Sequence, residues 1–130
     1  MFNIIVFTHG SLGRELVKTS EMIVGEHEGV EAFSVMPGCD LESLRESIRD
    51  SLTQSGKARK SVLVLTDLPY GTPFNIMAAL RESCEFRHIT GVNLTLLTEA
   101  LSRKDEEALD GAVSEMAKIA REGIFEEELL

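Results

Sequence analysis

No apolar run in this chain approaches the roughly 20 residues needed to span a bilayer, so a membrane-embedded role is not expected. The N-terminus has no basic region ahead of its apolar stretch and no small-residue cleavage site, which argues against a secretory leader. Cysteine is scarce: Cys39 and Cys84 are the only two, without metal spacing or the density of an exported framework, and read as reduced thiols in a cytoplasmic protein. The three histidines, His9, His27 and His88, lack ligand spacing, so neither a metal nor another cofactor is expected. Bases are the minority charge, 13 against 22 acids for a net charge of −9. That field repels nucleic acid and anionic membranes and favours partners with a basic docking face. No Walker loop, kinase signature or magnesium-ligand set is present, so ATP is not the expected donor in any group transfer. Repeats, linkers and low-complexity segments are missing as well. The 130 residues therefore read as one domain (1–130), long enough to bury a real core, with no second domain expected.

What is present is a regular alternation of strands and helices. Ile4-Ile5-Val6-Phe7 is an uninterrupted apolar run, the pattern of a strand buried on both faces. It ends in Thr8-His9-Gly10-Ser11, where Ser11 or Gly10 can cap a helix to about Val24 with Leu12, Leu16, Thr19 and Ile23 on one side. Val30 to Met36 reads as a second strand, Pro37-Gly38-Cys39 as a turn, and Asp40 as the cap of a helix carrying Leu41, Leu44, Ile48 and Leu52, which Gly56 stops. Val62-Leu63-Val64-Leu65-Thr66-Asp67 is a second fully apolar strand. Thr72 as N-cap, followed by Pro73, starts a helix to about Ser83. His88 to Leu94 fits a fourth strand and Thr95 to Ser102 a short helix. A last helix is expected to be capped by Asp105, with Leu109, Val113, Met116, Ala117 and Ala120 facing inward. This pattern predicts an α/β fold: an open, mostly parallel sheet of four strands in flavodoxin-like order, with helices on both faces. The tail from Ile124 leaves a fifth edge strand open.

Two residues stand out as candidate chemistry. In the predicted order the first and third strands are neighbours, so His9 and Asp67 share the carboxyl rim of the sheet, where helix N-termini collect ligands. A carboxylate bonded to one ring nitrogen fixes the tautomer and leaves the other nitrogen as a bare lone pair. That makes His9 a nucleophile, and the helix starts at Gly10, Ser11, Gly71 and Thr72 would surround a dianionic phosphoryl group with donors. Bland readings stand beside these: His9 as a packed rim residue, and Asp67 and Thr72 as helix caps. His27, in Glu26-His27-Glu28, is expected at the surface, and His88 in a structural role. A serine hydrolase would use Ser11 or Thr72, but no Gly-x-Ser-x-Gly elbow is present. A receiver domain would be phosphorylated on Asp67 and needs an acidic pair after the first strand, where Thr8-His9-Gly10 stands instead.

The same residues carry a family resemblance. Thr8-His9-Gly10, Gly25-Glu26, Pro37-Gly38, Asp67 with Gly71-Thr72-Pro73-Phe74-Asn75, Gly91-Val92-Asn93-Leu94 and Arg121-Glu122-Gly123 follow in the order and at the intervals of one family. Over residues 1 to about 124 the chain resembles the enzyme IIA component of the mannose family of the bacterial phosphoenolpyruvate-dependent sugar phosphotransferase system (PTS). The resemblance implies a cytoplasmic phosphotransferase, peripheral to the membrane through its transporter. His9 would accept a phosphoryl group from the phosphocarrier protein HPr on Nε2 and pass it to a histidine of enzyme IIB, coupling to sugar uptake through the membrane IIC and IID subunits. Asp67 would bond Nδ1, and Thr72 would lie near the phosphate. Met36, Leu68, Pro69 and Tyr70 are candidates for a docking rim with few charges. A homodimer is also implied; Glu126 to Glu128 are poor strand formers, so no long exchanged strand is expected, leaving Ile124 and Phe125 to pack across the dimer. Two alternatives remain beside this: a subunit of dihydroxyacetone phosphorylation, and a regulatory module that reports phosphorylation state without passing it on.

Overall fold

A computed structural model describes residues 1–128. Four parallel strands, β1 (Phe2–His9), β2 (Val30–Val35), β3 (Ser61–Thr66) and β4 (Arg87–Thr90), form a sheet in the order β2-β1-β3-β4. Five helices connect and follow them: α1 (Leu12–Val24), α2 (Leu41–Lys57), α3 (Thr72–Leu80), α4 (Leu94–Arg103) and α5 (Leu109–Glu122). This is the predicted architecture and strand order.

Side-chain alternation along the two central strands explains their unbroken apolar runs. Phe2, Ile4, Val6, Leu63 and Leu65 point to one face and join Leu96, Leu97, Leu109 and Met116 of α4 and α5, with Leu16, Val17 and Val24 of α1 packed alongside. Ile5, Phe7, Val62 and Val64 point to the other and meet Ile48 and Leu52 of α2 and Ile76, Met77 and Leu80 of α3. Each fully buried side chain of this size stabilises the fold by roughly 1.5–3 kcal/mol relative to exposure. A strand with one wet face could not keep such a pattern; these two are covered on both.

Several local expectations differ from what forms. Of the Leu12–Leu16–Thr19–Ile23 stripe of α1 only Leu16 packs on the core; Leu12, Thr19 and Ile23 are exposed, while Gly13 and Ser20 are buried. Gly13 is inside because the helix start lies so close to β1 that a Cβ there would sit 3.1 Å from both Thr8 Oγ1 and Val6 Cγ1. α3 begins one residue earlier than expected, with Gly71 as its N-cap and Thr72 as its first helical residue. β4 is shorter than predicted, because Gly91 adopts φ 87° and Asn93 caps α4 by accepting from Leu96 N–H at 2.8 Å. α5 starts after Ala108, and Asp105 instead accepts from the buried Lys104 ammonium at 2.8 Å. Asp40 caps α2 as predicted, accepting from the Glu42 and Ser43 amides. His27 is half-buried, not at the open surface, its Nε2 3.1 Å from Val24 O and its Nδ1 3.7 Å from Asp105 Oδ2. Residues 124–128 carry no strand or helix, and Ile124 and Phe125 are exposed; the rest of the expected tail lies outside the described residues. Cys39 and Cys84 are both free and half-buried. Among the described residues no helix is long and apolar enough to cross a membrane.

Candidate active site

His9 is the last residue of β1, opposite Val35 of β2, and Asp67 follows the last residue of β3. The β1–β3 register pairs Phe7 with Thr66, so both side chains emerge at the same rim of the sheet. They meet there. Asp67 Oδ2 accepts from the His9 backbone N–H and lies 2.9 Å from His9 Nδ1, while Oδ1 accepts from Leu68 N–H at 2.9 Å. Partial burial disfavours ionisation of Asp67, but the hydrogen bonds from His9 and Leu68 outweigh it and hold its pKa below the ordinary carboxylate value. An ionised carboxylate can only accept, so Nδ1 must carry the ring proton. Nε2 of the neutral ring is then the free nitrogen. The Asp67 side chain is 9% exposed and that of His9 45%, so the carboxylate is sheltered while the ring reaches solvent.

Two helices start beside this ring. Gly10, at φ 56°, turns the chain from β1 into α1, and its N–H donates to Val35 O at 2.8 Å. Ser11 is the exposed N-cap residue of α1 but makes no side-chain cap. That work falls to Thr8, fully buried, whose Oγ1 accepts from Gly13 N–H at 2.8 Å. Gly71 lies against the ring: a Cβ there would stand 2.9 Å from His9 Cε1. Its N–H donates to Leu68 O at 3.2 Å, so neither glycine amide is spare. Because Thr72 occupies the first turn of α3 and not its cap, its hydroxyl is not spent on capping. The Ser11 and Thr72 hydroxyls, neither of which caps its helix, and the first-turn amides of α1 and α3 stand at these two helix starts.

Between Asp67 and α3 the chain makes a reverse turn, Leu68-Pro69-Tyr70-Gly71, with Tyr70 at φ 64°. Proline second and a left-handed third residue is the type II pattern, which ordinarily carries glycine at that third place. Tyr70 is held there by Asn75 Nδ2 donating to its carbonyl at 3.0 Å and by the Phe74 ring, 5.1 Å from its own. The left-handed backbone costs on the order of 1–3 kcal/mol, and Tyr70 is 80% exposed beside Leu68 and Pro69. Met36, which directly follows β2, is exposed. Sequence reading missed Thr8 as the cap and Tyr70 as a left-handed residue. The threonine five residues before a buried glycine was a weak signal for the first; Pro69 ahead of Tyr70 was one for the second.

Comparison with known proteins gives the family. The profile of the family described as "PTS system fructose IIA component" matches residues 3–117. The chain belongs to that family. It is 37% identical over 125 residues to the PTS system mannose-specific EIIAB component of Escherichia coli (strain K12), covering 93% of this chain and 38% of that protein. It therefore spans well under half the length of those relatives. The PTS system fructose-specific EIIA component of Bacillus subtilis (strain 168) is 28% identical over 123 residues, covering 94% of this chain and 84% of its own. The crystal structure of phosphotransferase system component EIIA from Streptococcus agalactiae superposes with a TM-score of 0.87 at 29% identity, covering 97% of each chain. A IIA component of the PTS is thus the class to which the fold and the sequence both assign this chain.

Proposed function

We propose that this IIA component is a phosphocarrier that takes a phosphoryl group onto His9 Nε2 from phosphorylated HPr and passes it to a histidine of enzyme IIB. The observation that carries the reading is the Nδ1–Oδ2 contact of 2.9 Å beneath a ring whose outer face is open to solvent. In the accepting step Nε2 attacks phosphorus in line, the P–N bond to the donor imidazole breaks, and the donor ring leaves with its electron pair. The His9 ring gains positive character as its lone pair is used, and the Asp67 carboxylate, already ionised, stabilises it without moving. Passing the group onward reverses the same displacement.

The Ser11 and Thr72 hydroxyls and the helix N-termini at Gly10 and Gly71 are assigned to the transferring oxygens, where the helix dipoles favour negative charge. Phosphohistidine is already activated, so positioning and fixed donors supply the catalysis. Met36, Leu68, Pro69 and Tyr70 form the docking rim, which excludes water around the reacting atoms when a partner is seated. Transfer onward would couple to uptake by membrane IIC and IID subunits, with this chain working as a cytoplasmic homodimer at the transporter.

The test is to incubate the chain with enzyme I, HPr and labelled phosphoenolpyruvate. Incorporation that is stable in alkali, labile in acid and lost in His9→Ala is the expected result. Labelling that survives His9→Ala, or an alkali-labile acyl phosphate on Asp67, would overturn the assignment.

A further inference from the structure

At the opposite, amino end of the strands lies a cavity of about 540 Å³, framed by the end of α2, the starts of β3 and β4, and the start of α5. In a chain of net charge −9, its wall carries four cations, Arg59, Lys60, Arg81 and Arg87, against two carboxylates, Glu85 and Asp110. Among the described residues only Arg87 of these four is ion-paired, with Asp110 at 2.8 Å. Arg81 rests over the Phe86 ring, its Cζ 4.8 Å from the centroid, and donates to Phe86 O at 3.4 Å, contacts that fix the guanidinium without cancelling its charge. Among the described residues neither Arg59 nor Lys60 has a carboxylate within 4.0 Å.

A structural reading would have these cations merely offset the C-terminal dipole of α2. The carbonyls there are already served by backbone: Ala58 N–H donates to Gln54 O, Arg59 N–H to Gly56 O and Lys60 N–H to Ser55 O. Lys57, in the last turn, is placed for the dipole. The Arg59 and Lys60 side chains are left over. Arg59 moreover holds φ 57°, a conformation unusual for a residue with a Cβ.

The floor is different in character: Leu52, Val62 and Phe86 line it and are buried. A concave site with an apolar floor and a surplus of two cations does not match a flat bilayer. It matches a small dianion with a carbon body. We propose that this cavity binds a small organic phosphate monoester, its phosphoryl group among Arg59, Lys60 and Arg81 and its carbon body on Leu52, Val62 and Phe86. The site is separate from His9, at the other end of β1 and β3.

The chain carries its own reporter. Cys84 lines this cavity, whereas Cys39 sits in the turn after β2, at the His9 end. Alkylation by iodoacetamide, read by mass spectrometry, is compared with phenyl phosphate, inorganic phosphate or phosphatidylglycerol vesicles added. Phenyl phosphate should slow Cys84 saturably, about tenfold at a concentration about ten times its Kd, with Cys39 unchanged. Inorganic phosphate should protect more weakly. The double variant Arg59→Gly/Lys60→Gln should lose the protection; glycine suits the left-handed φ at 59, so the fold should be kept, and an unchanged Cys39 rate checks this. No slowing of Cys84, equal slowing of both cysteines, or undiminished protection in the variant would overturn the proposal. Equal protection by inorganic phosphate would overturn the organic-phosphate assignment, and vesicle binding without protection by phenyl phosphate would give the cations to a lipid surface instead.

Discussion

At the scale of single residues, the proposed chemistry rests on what touches the His9 ring. Asp67 fixes it from the sheltered side, and Gly71 is the floor on which it lies. A methyl at Gly71 would stand 2.9 Å from Cε1, closer than carbon atoms approach, so the ring in Gly71→Ala must rotate and stretch its bond to Asp67. The φ of Gly71 is −76°, which alanine adopts without strain. Phosphoryl acceptance should therefore fall about tenfold or more while the urea midpoint barely moves. An unchanged transfer rate would show that the ring's seat does not matter. That His9 and Asp67 meet was legible in the sequence, because two apolar runs ending in polar residues put both side chains at one rim once the strand order is given. That Gly71 lies against the ring was not legible, because a contact between a loop glycine and a strand-end histidine leaves no periodic signal.

At the scale of elements, α1 is the piece whose placement brings its N-terminus to the site. Thr8 Oγ1 accepts from Gly13 N–H inside a fully buried contact, and it replaces the side-chain cap that Ser11 does not make. Thr8→Val keeps shape and removes the acceptor, stranding a buried N–H. It should cost about 1–2 kcal/mol, measured by urea unfolding, and lower the transfer rate as the first turn of α1 loosens. Equal stability would mean that water takes over the bond. The sequence suggested a leucine-rich stripe for the inner face of α1, and the pattern was sound as periodicity. It failed on distance at one end: Gly13 is inside because β1 is too near there for a larger side chain, while Leu16 and Val17 still pack on the core. Asp40 and Asn93, in contrast, cap their helices through side chains that accept from the first-turn amides, a local interaction.

For the whole molecule, the two-sided core predicts an acid response with two parts. His88 is wedged beside the Phe74 and Phe86 rings, 5.1 and 6.4 Å between centroids. Burial, with the Arg81 charge adding to it, lowers its pKa to about 4. Folded His88 stays neutral where the unfolded chain takes up a proton, so stability should fall as the pH drops from about 6.5 to about 4. Asp67, Asp40 and Asp105 are held below their ordinary carboxylate values, so the stability they contribute should be lost at still lower pH, as each is protonated. His88→Gln should flatten the first part of a plot of urea midpoint against pH and leave the second. A slope between pH 6.5 and 4 unchanged in that variant would contradict the assignment. The architecture itself was readable from the sequence, since unbroken apolar runs alternating with helices admit few arrangements. The ends of elements were less so, because Gly91, Ala108 and Gly71 stop or start them through backbone angles that the neighbouring tertiary contacts select.

In the proposed mechanism Asp67 keeps the proton on Nδ1 so that His9 carries phosphate on Nε2. Nitrogen and phosphorus NMR of the chain, labelled with nitrogen-15 in histidine and phosphorylated through HPr, reads this directly. One phosphohistidine is expected, at position 9, with phosphorus coupled to Nε2. Coupling to Nδ1, or a phosphohistidine at position 27 or 88, would contradict it.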